Sequence, residues 1–163
     1  MDTAEATFFG QNPSVSHAVN LLLYTITAFL LYYLLVYFWG DEKRWLAFLT
    51  TLFFAVLPVH TEVVVSAKSR DELLAFLFAL LSWHTYCRFI IKQQLLYVVL
   101  ASLLFLSACM SKSTMIPLTL LIPFSFYWFN KANNKQIAII TGSLLLMFAC
   151  MFGLNNLIDS QDN

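Results

Sequence analysis

The segment AVNLLLYTITAFLLYYLLVYFW, residues 18–39, contains 22 residues and no charged side chain. A helix needs roughly 20 apolar residues to cross the 30 Å hydrocarbon core of a bilayer. This segment is therefore long enough to span a membrane, as are two further segments. The predicted spans are residues 18–39, 45–58, 73–91, 95–110, 114–130 and 136–154.

The composition of the whole chain supports a membrane environment. Of its 163 residues, 60% are hydrophobic, 17% are aromatic and only 11% are charged, whereas the usual charged share is roughly a quarter. A soluble domain of this size cannot hide so much apolar surface. We therefore predict an all-α, polytopic transmembrane helix bundle of about six spans, forming one domain over residues 1–163 and embedded in a lipid bilayer. The shorter segments require local thinning of the bilayer or helical extension through flanking residues.

The basic residues predict the orientation, because cytoplasmic loops collect Lys and Arg. One set of loops contains six basic residues and the other contains three. The first set is therefore predicted to lie in the cytoplasm, which puts both termini outside. A net charge of zero and the absence of a basic stripe argue against nucleic acid as a partner. The first set is Lys43, Arg44, Arg88, Lys92, Lys131 and Lys135, and the second is Lys68, Arg70 and Lys112.

Several residues inside the spans have structural interpretations. Cys87, Cys109 and Cys150 lie in apolar runs without C-x-x-C spacing, which is typical of small buried hydrophobic residues. His84 is interpreted as a packing histidine near Arg88. The fifth predicted span contains two prolines, Pro117 and Pro123, which should kink it or free backbone carbonyl groups.

The most informative polar stretch is LPVHTEVVVSAKSRDE, residues 57–72. It is predicted to be a short external loop with two bases, three acids and a histidine. Ionisable groups at membrane depth are costly unless they are paired or face water, so they are candidates for function. The structural alternative is an ordinary solvated loop, in which four charged residues only keep the turn in water: Lys68, Arg70, Asp71 and Glu72.

Two further alternatives concern the same stretch. Ser69 could cap the third helix, with Glu72 as its capping-box partner, and that role would explain Glu72 completely. His60, Glu62 and Asp71 could instead form an oxygen-rich site for Mg²⁺ or Mn²⁺. The spacing of His60 and Glu62 matches no helical metal-ligand motif, so the sequence indicates no certain metal or cofactor.

Two other external elements carry polar residues. Lys112 stands between two serines at the end of the fourth span. Such a lysine usually extends to the membrane surface, but on the same side as Arg70 it could bind a phosphate oxygen. Asn20, inside the first apolar helix, is more typical of an interhelical hydrogen bond than of a ligand contact.

These stretches together resemble a known family. F-x-G-x-N-P-x-x-S-H-x-x-N over residues 8–20, P-V-H-T-E-x-V-x-x-x-K-S-R-D-E-L-L over residues 58–74 and S-K-S over residues 111–113 are similar to membrane glycosyltransferases of the GT-C class. The branch they resemble most is the protein O-mannosyltransferase-like proteins with C-terminal tetratricopeptide repeats, including bacterial relatives. The resemblance covers roughly residues 8–125.

The resemblance implies a reaction and a site. The family transfers a sugar, here expected to be mannose, from a polyprenyl-phosphate-linked donor to a protein or glycan acceptor on the non-cytoplasmic face. Arg70 and Lys112 would then neutralise the donor phosphate, while Asp71 and Glu62 are the candidate catalytic residues that position the acceptor or organise the site. His60, Asn20 and Glu72 would support it. In a bacterium, the membrane would be the inner membrane.

The chain also departs from the family pattern. Leu57-Pro58 replaces His-Pro, Ser113 replaces a glutamate, and an acidic residue expected in a large first external loop has no counterpart. We therefore expect an internal fragment of a longer enzyme that is inactive alone. The main alternative is a non-catalytic polytopic membrane protein, such as an assembly partner or degenerate paralogue. A small transporter or channel is less favoured, because the mid-span residues are nearly all apolar.

Overall fold

The computed structural model describes residues 13–57 and 70–159. All regular structure in these two ranges is helical, so the all-α prediction is confirmed for the described part of the chain. Short 3₁₀ turns at Asp41–Lys43 and Ser113–Met115 accompany six α-helices. The helices are α1 (Pro13–Trp39), α2 (Arg44–Val56), α3 (Arg70–Lys92), α4 (Leu95–Ser111), α5 (Leu118–Trp128) and α6 (Asn134–Asp159).

Two of the helices are long and apolar enough to cross a bilayer. They are α1, over His17–Trp39, and α3, over Asp71–Lys92. α4, α5 and the first part of α6 are apolar but shorter. α2 and α5 contain 13 and 11 residues, so neither reaches the roughly 20 residues that a full crossing requires. α1 and α3 therefore carry the membrane assignment.

The outer surface of the helices is strongly apolar. Large side chains such as Phe29, Phe53 and Leu96 are mostly exposed, and they are spread over different helices. Soluble monomers rarely expose continuous apolar surface of this kind. In a bilayer, exposure of such side chains to lipid tails carries no free-energy penalty.

α3 is the central helix of the packing. It lies against α1 on one side and α4 on the other, while α4 also packs on α6. Alanines at the α3–α4 contact, including Ala79 and Ala101, are fully buried. Small residues of this kind let helix backbones approach closely, and packing is the main force that associates helices in a membrane. The Ser82 hydroxyl donates a 2.8 Å hydrogen bond to the Ala101 carbonyl across this contact.

Three short turns make the helices antiparallel in pairs. Gly40 follows α1 with φ 84°, Gln93 joins α3 to α4 with φ 54°, and Asn130 follows α5 with φ 50°. Connections this short place consecutive helices side by side and antiparallel. The Lys131 ammonium lies over the Tyr37 ring, and the Gln136 side chain donates a hydrogen bond to the Ile90 carbonyl. The ends of α1, α3 and α5 therefore lie at one end of the molecule, where the prediction from basic residues places the cytoplasm.

The fifth predicted span, residues 114–130, begins in the wrong place. Ser113–Met115 is a 3₁₀ turn, and α5 begins only at Leu118, after Pro117 as its N-cap. Proline disfavours the α-conformation in the residue before it, so the helix cannot extend back through Pro117. Pro117 therefore does not kink the span, whereas Pro123 does lie inside α5 as predicted.

Two of the structural interpretations are confirmed. Cys87 and Cys109 are buried free thiols, and the side chain of Cys150 lies outside the described side chains. His84 forms a 2.8 Å hydrogen bond through Nε2 to the carbonyl oxygen of Leu30. Since a carbonyl can only accept, Nε2 carries the proton, and His84 is a packing histidine that ties α3 to α1.

Candidate functional site

The start of α3 lies directly against the end of α4. The ammonium group of Lys112 forms an ion pair with the Glu72 carboxylate, and their side chains are 37% and 47% exposed. Next to it, the Ser111 hydroxyl donates a 3.1 Å hydrogen bond to the backbone carbonyl of Asp71. Two polar segments that are far apart in the chain therefore form one cluster, which we call the α3–α4 polar end: Asp71, Glu72, Ser111 and Lys112.

The helical hairpin explains how this cluster forms. Glu72 lies 21 positions before Gln93, and Lys112 lies 19 positions after it. In an antiparallel hairpin, residues at similar distances from the turn lie at the same level. The close α3–α4 contact fixes this register, because a shift along the axis would move the buried alanines out of contact.

Helix dipoles favour the charges at this end. Asp71 and Glu72 lie in the first turn of α3, where the partial positive charge of the helix stabilises carboxylates. Lys112 is the C-cap of α4, and its backbone N–H donates a 3.0 Å hydrogen bond to the Ala108 carbonyl. A cation at that position is stabilised by the negative end of α4. An ammonium group has three donors, so Lys112 can bind Glu72 and a second acceptor at the same time.

The first part of α1 and the end of α2 lie at this same end of the molecule. The Tyr24 hydroxyl donates to the carbonyl oxygens of Phe54 and Ala55, at 3.3 and 3.2 Å. The Phe54 ring in turn packs on Phe76, nearly two turns into α3. Asn20 is one helical turn before Tyr24 and is 1% exposed. Its burial agrees with the interpretation as a residue that holds helices together.

The remaining candidates are only partly covered by the structure. Arg70 is the first residue of α3, and its side chain lies outside the described side chains. His60 and Glu62 lie outside the described residues, as does Ser69, the predicted N-cap. The alternative of a Mg²⁺ or Mn²⁺ site rests on two of these residues. Within the described ranges, no group of three or more potential metal ligands occurs.

Sequence reasoning missed the partner of Glu72. It assigned this residue to a capping box or to general support of the site, whereas the structure pairs it with Lys112. The opposite charges at similar distances from the α3–α4 turn were the available signal. It becomes visible only once the two segments are treated as a hairpin.

Comparison with known proteins finds a partial similarity. Over about half of its length, the chain is similar to protein O-mannosyl-transferases. The relatives include TMTC1 of Homo sapiens, 41% identical over 82 residues, which is 48% of this chain and 9% of the relative. They also include TMTC4 of Mus musculus, 40% identical over 90 residues, which is 48% of this chain and 12% of the relative.

The similarity is limited in extent. The matched segment is about a tenth of the length of these relatives. No family model matches the chain, and no solved structure matches it. The similarity supports a relationship to O-mannosyl-transferases. Together with the two helices long enough to cross a bilayer, it indicates a glycosyltransferase-like membrane protein.

Proposed function

We propose that the chain forms part of a membrane glycosyltransferase. The enzyme transfers a sugar, mannose by analogy with the relatives, from a polyprenyl-phosphate-linked donor to a protein or glycan acceptor. The observation that carries this proposal is the α3–α4 polar end, where Lys112 reaches Glu72 and Ser111 reaches Asp71. The similarity to O-mannosyl-transferases supplies the reaction class.

Charge is the reason to assign the donor phosphate to this end. When the bond between the sugar and the phosphate breaks, the leaving phosphate gains negative charge. Cations held in advance at that position stabilise the transition state more than the ground state. Lys112 and Arg70 are the cations that we assign to the phosphate, and Glu72 holds the Lys112 ammonium in place while leaving it further donors.

The acidic residues are assigned to the acceptor in this proposal. Asp71 is exposed in the first turn of α3, and Glu62 precedes it in the chain. In this proposal, the two carboxylates position the acceptor hydroxyl or organise the site, and His60 and Asn20 support it. Asp71 meets one requirement of this role, since an exposed carboxylate can be reached by an acceptor.

We further propose that the six helices form a transmembrane bundle with the α3–α4 polar end on the non-cytoplasmic face. Lys43 and Lys131 in the connections after α1 and α5, and Lys92 as the last residue of α3, lie at the opposite end. An excess of Lys and Arg marks the cytoplasmic side. In a bacterial cell, the membrane would be the inner membrane.

Sugar transfer by the intact protein in membranes tests the proposal. With a polyprenyl-phosphate-linked mannose donor, Arg70→Ala and Lys112→Ala should each lower transfer about tenfold or more, since a hydrogen bond to a charged group contributes about 1.5–3 kcal/mol. Lys135→Ala, at the start of α6, is the matched control and should leave transfer unchanged. Membrane insertion is followed by carbonate extraction. Full transfer by both variants would remove Arg70 and Lys112 from the donor site, whereas absence of transfer by the unaltered protein would favour the non-catalytic alternative.

A further inference from the structure

A groove opens at the opposite end of α3 from the Lys112–Glu72 pair. It lies between α1, α3 and α4 and has a volume of about 580 Å³. Two polar lining residues, His84 and Thr85, already form hydrogen bonds to the carbonyl oxygens of Leu30 and Leu81. The rest of the wall is mainly apolar. The main apolar and aromatic lining residues are Leu30, Tyr33, Tyr37, Leu81, Ile91 and Leu100.

Three cations gather around one end of this groove. Arg88 lines it directly. Lys92 donates a 3.0 Å hydrogen bond to the hydroxyl of the lining residue Tyr97. The ammonium group of Lys131 lies 5.6 Å from the ring centroid of Tyr37, another lining residue. The cations come from α3 and from the connection after α5, so the fold brings them together.

These cations are not used by the ion pairs of the described side chains. Those pairs join Arg44 to Asp41 and Lys112 to Glu72. An apolar groove with positive charge at one end is complementary to a molecule with an anionic head and an apolar tail. Tyrosines such as Tyr97 favour the level of lipid headgroups, where a polar hydroxyl and an apolar ring are both accommodated.

We propose that this groove binds one anionic phospholipid. The headgroup phosphate lies among Arg88, Lys92 and Lys131, and an acyl chain lies along the apolar wall. Basic pockets between transmembrane helices bind such headgroups. From Leu81 to Lys92, α3 rises about 16 Å, which matches one leaflet of a hydrocarbon core roughly 30 Å thick. The length therefore suits an acyl chain better than a free anion.

The lipid site is independent of sugar transfer. It lies at the other end of α3 from the proposed donor-phosphate site, and its test measures lipid binding rather than activity. Loss of one site would leave the other intact, so failure of this proposal is distinguishable from failure of the proposed function.

The headgroup is tested by titrating the intact protein in detergent, with native mass spectrometry as the readout. The probes are dioleoylphosphatidylglycerol, dioleoylphosphatidylcholine and inorganic phosphate. We expect the anionic lipid to bind about tenfold more tightly than the zwitterionic one, and we expect phosphate not to displace it. Combined Arg88→Gln and Lys92→Gln should weaken binding of the anionic lipid about tenfold. Lys43→Gln, a basic residue at the same end outside the groove, should not.

The acyl chain is tested with a bulky substitution. Leu100→Trp fills the groove and should weaken binding of the anionic lipid severalfold. Leu96→Trp, on the same helix at a residue that is 72% exposed and does not line the groove, should leave binding unchanged. Equal binding of the two lipids, displacement by inorganic phosphate, or full binding by both groove variants would each overturn the proposal. If another part of the intact protein fills the groove, no lipid will bind, and that result would overturn the proposal as well.

Discussion

The ammonium group of Lys112 pairs with the carboxylate of Glu72, which is 40 positions earlier in the chain. Both residues stand where the dipole of their own helix stabilises them, Glu72 in the first turn of α3 and Lys112 at the C-cap of α4. The pair therefore links two helix ends that are each electrostatically favourable on their own. It also holds in place a lysine side chain that stays 37% exposed.

The pair should contribute little to stability. In a double-mutant cycle with Glu72→Gln and Lys112→Met, we expect each single variant to lower the free energy of unfolding by at most about 1 kcal/mol, with a coupling near 0.5 kcal/mol, because both groups are partly exposed. Unfolding in detergent micelles measures this. The Arg44–Asp41 pair, with side chains 63% and 74% exposed, is the comparison and should couple no more strongly. Coupling of several kcal/mol would show that the pair is structural.

The charge of Lys112 should matter more to the donor than to the fold. Lys112→Met should lower kcat/KM for the polyprenyl-phosphate-linked donor about tenfold, because a hydrogen bond to the charged phosphate is lost in the transition state. Lys112→Arg keeps the positive charge and the capacity to bind a phosphate oxygen, so it should restore most of that value. Both kcat and KM are measured on the intact protein. Equal kcat/KM values for the two variants would remove Lys112 from the donor site.

A buried hydroxyl group joins α3, α4 and α6. The Tyr86 hydroxyl lies 3.2 Å from the Ser102 Oγ and 3.0 Å from the Ser143 Oγ. Tyr86→Phe should lower the free energy of unfolding by about 1 kcal/mol, the scale of side-chain hydrogen bonds between transmembrane helices. Tyr127→Phe, at an exposed residue of α5, is the control and should change the stability very little. A Tyr86→Phe protein as stable as the control would mean that the hydroxyl contacts contribute nothing.

Two glycines with open surroundings should respond in opposite directions to alanine. An added Cβ meets nothing within 4 Å at Gly40 or at Gly142, so only the backbone decides the outcome. Gly40 has φ +84°, and Gly40→Ala should therefore destabilise the protein by about 1 kcal/mol. Gly142 lies inside α6, and Gly142→Ala should stabilise it by about 0.5–1 kcal/mol. Both are measured by unfolding in detergent, and changes of the same sign would contradict the assigned conformations.

The long helices could be predicted closely from the sequence. α1 ends at Trp39 as predicted, and α3 extends the predicted residues 73–91 by only a few positions. These segments are apolar runs without a helix breaker, so their pattern alone determines them. The start of α5 could not be placed this way. The apolar sequence continues across Pro117, but the helical backbone does not.

The contacts of the candidate site could be predicted only in part. The sequence indicated Asp71, Glu72 and Lys112 as polar residues at one membrane face. The Glu72–Lys112 pair depends on the register of α3 against α4, which buried alanines set and which no local pattern contains. The groove near Arg88 was missed for the same reason, since its lining comes from three helices that only packing brings together.

The side of the membrane on which the α3–α4 polar end lies is the claim on which the proposed reaction depends. Its most direct test is labelling of the intact protein in cells with a membrane-impermeant maleimide, comparing Lys112→Cys with Lys43→Cys. The native Cys87 and Cys109 are buried and should react little. We predict that position 112 is labelled in intact cells and that position 43 is labelled only after permeabilisation. Labelling of position 43 in intact cells, with position 112 protected, would contradict the account.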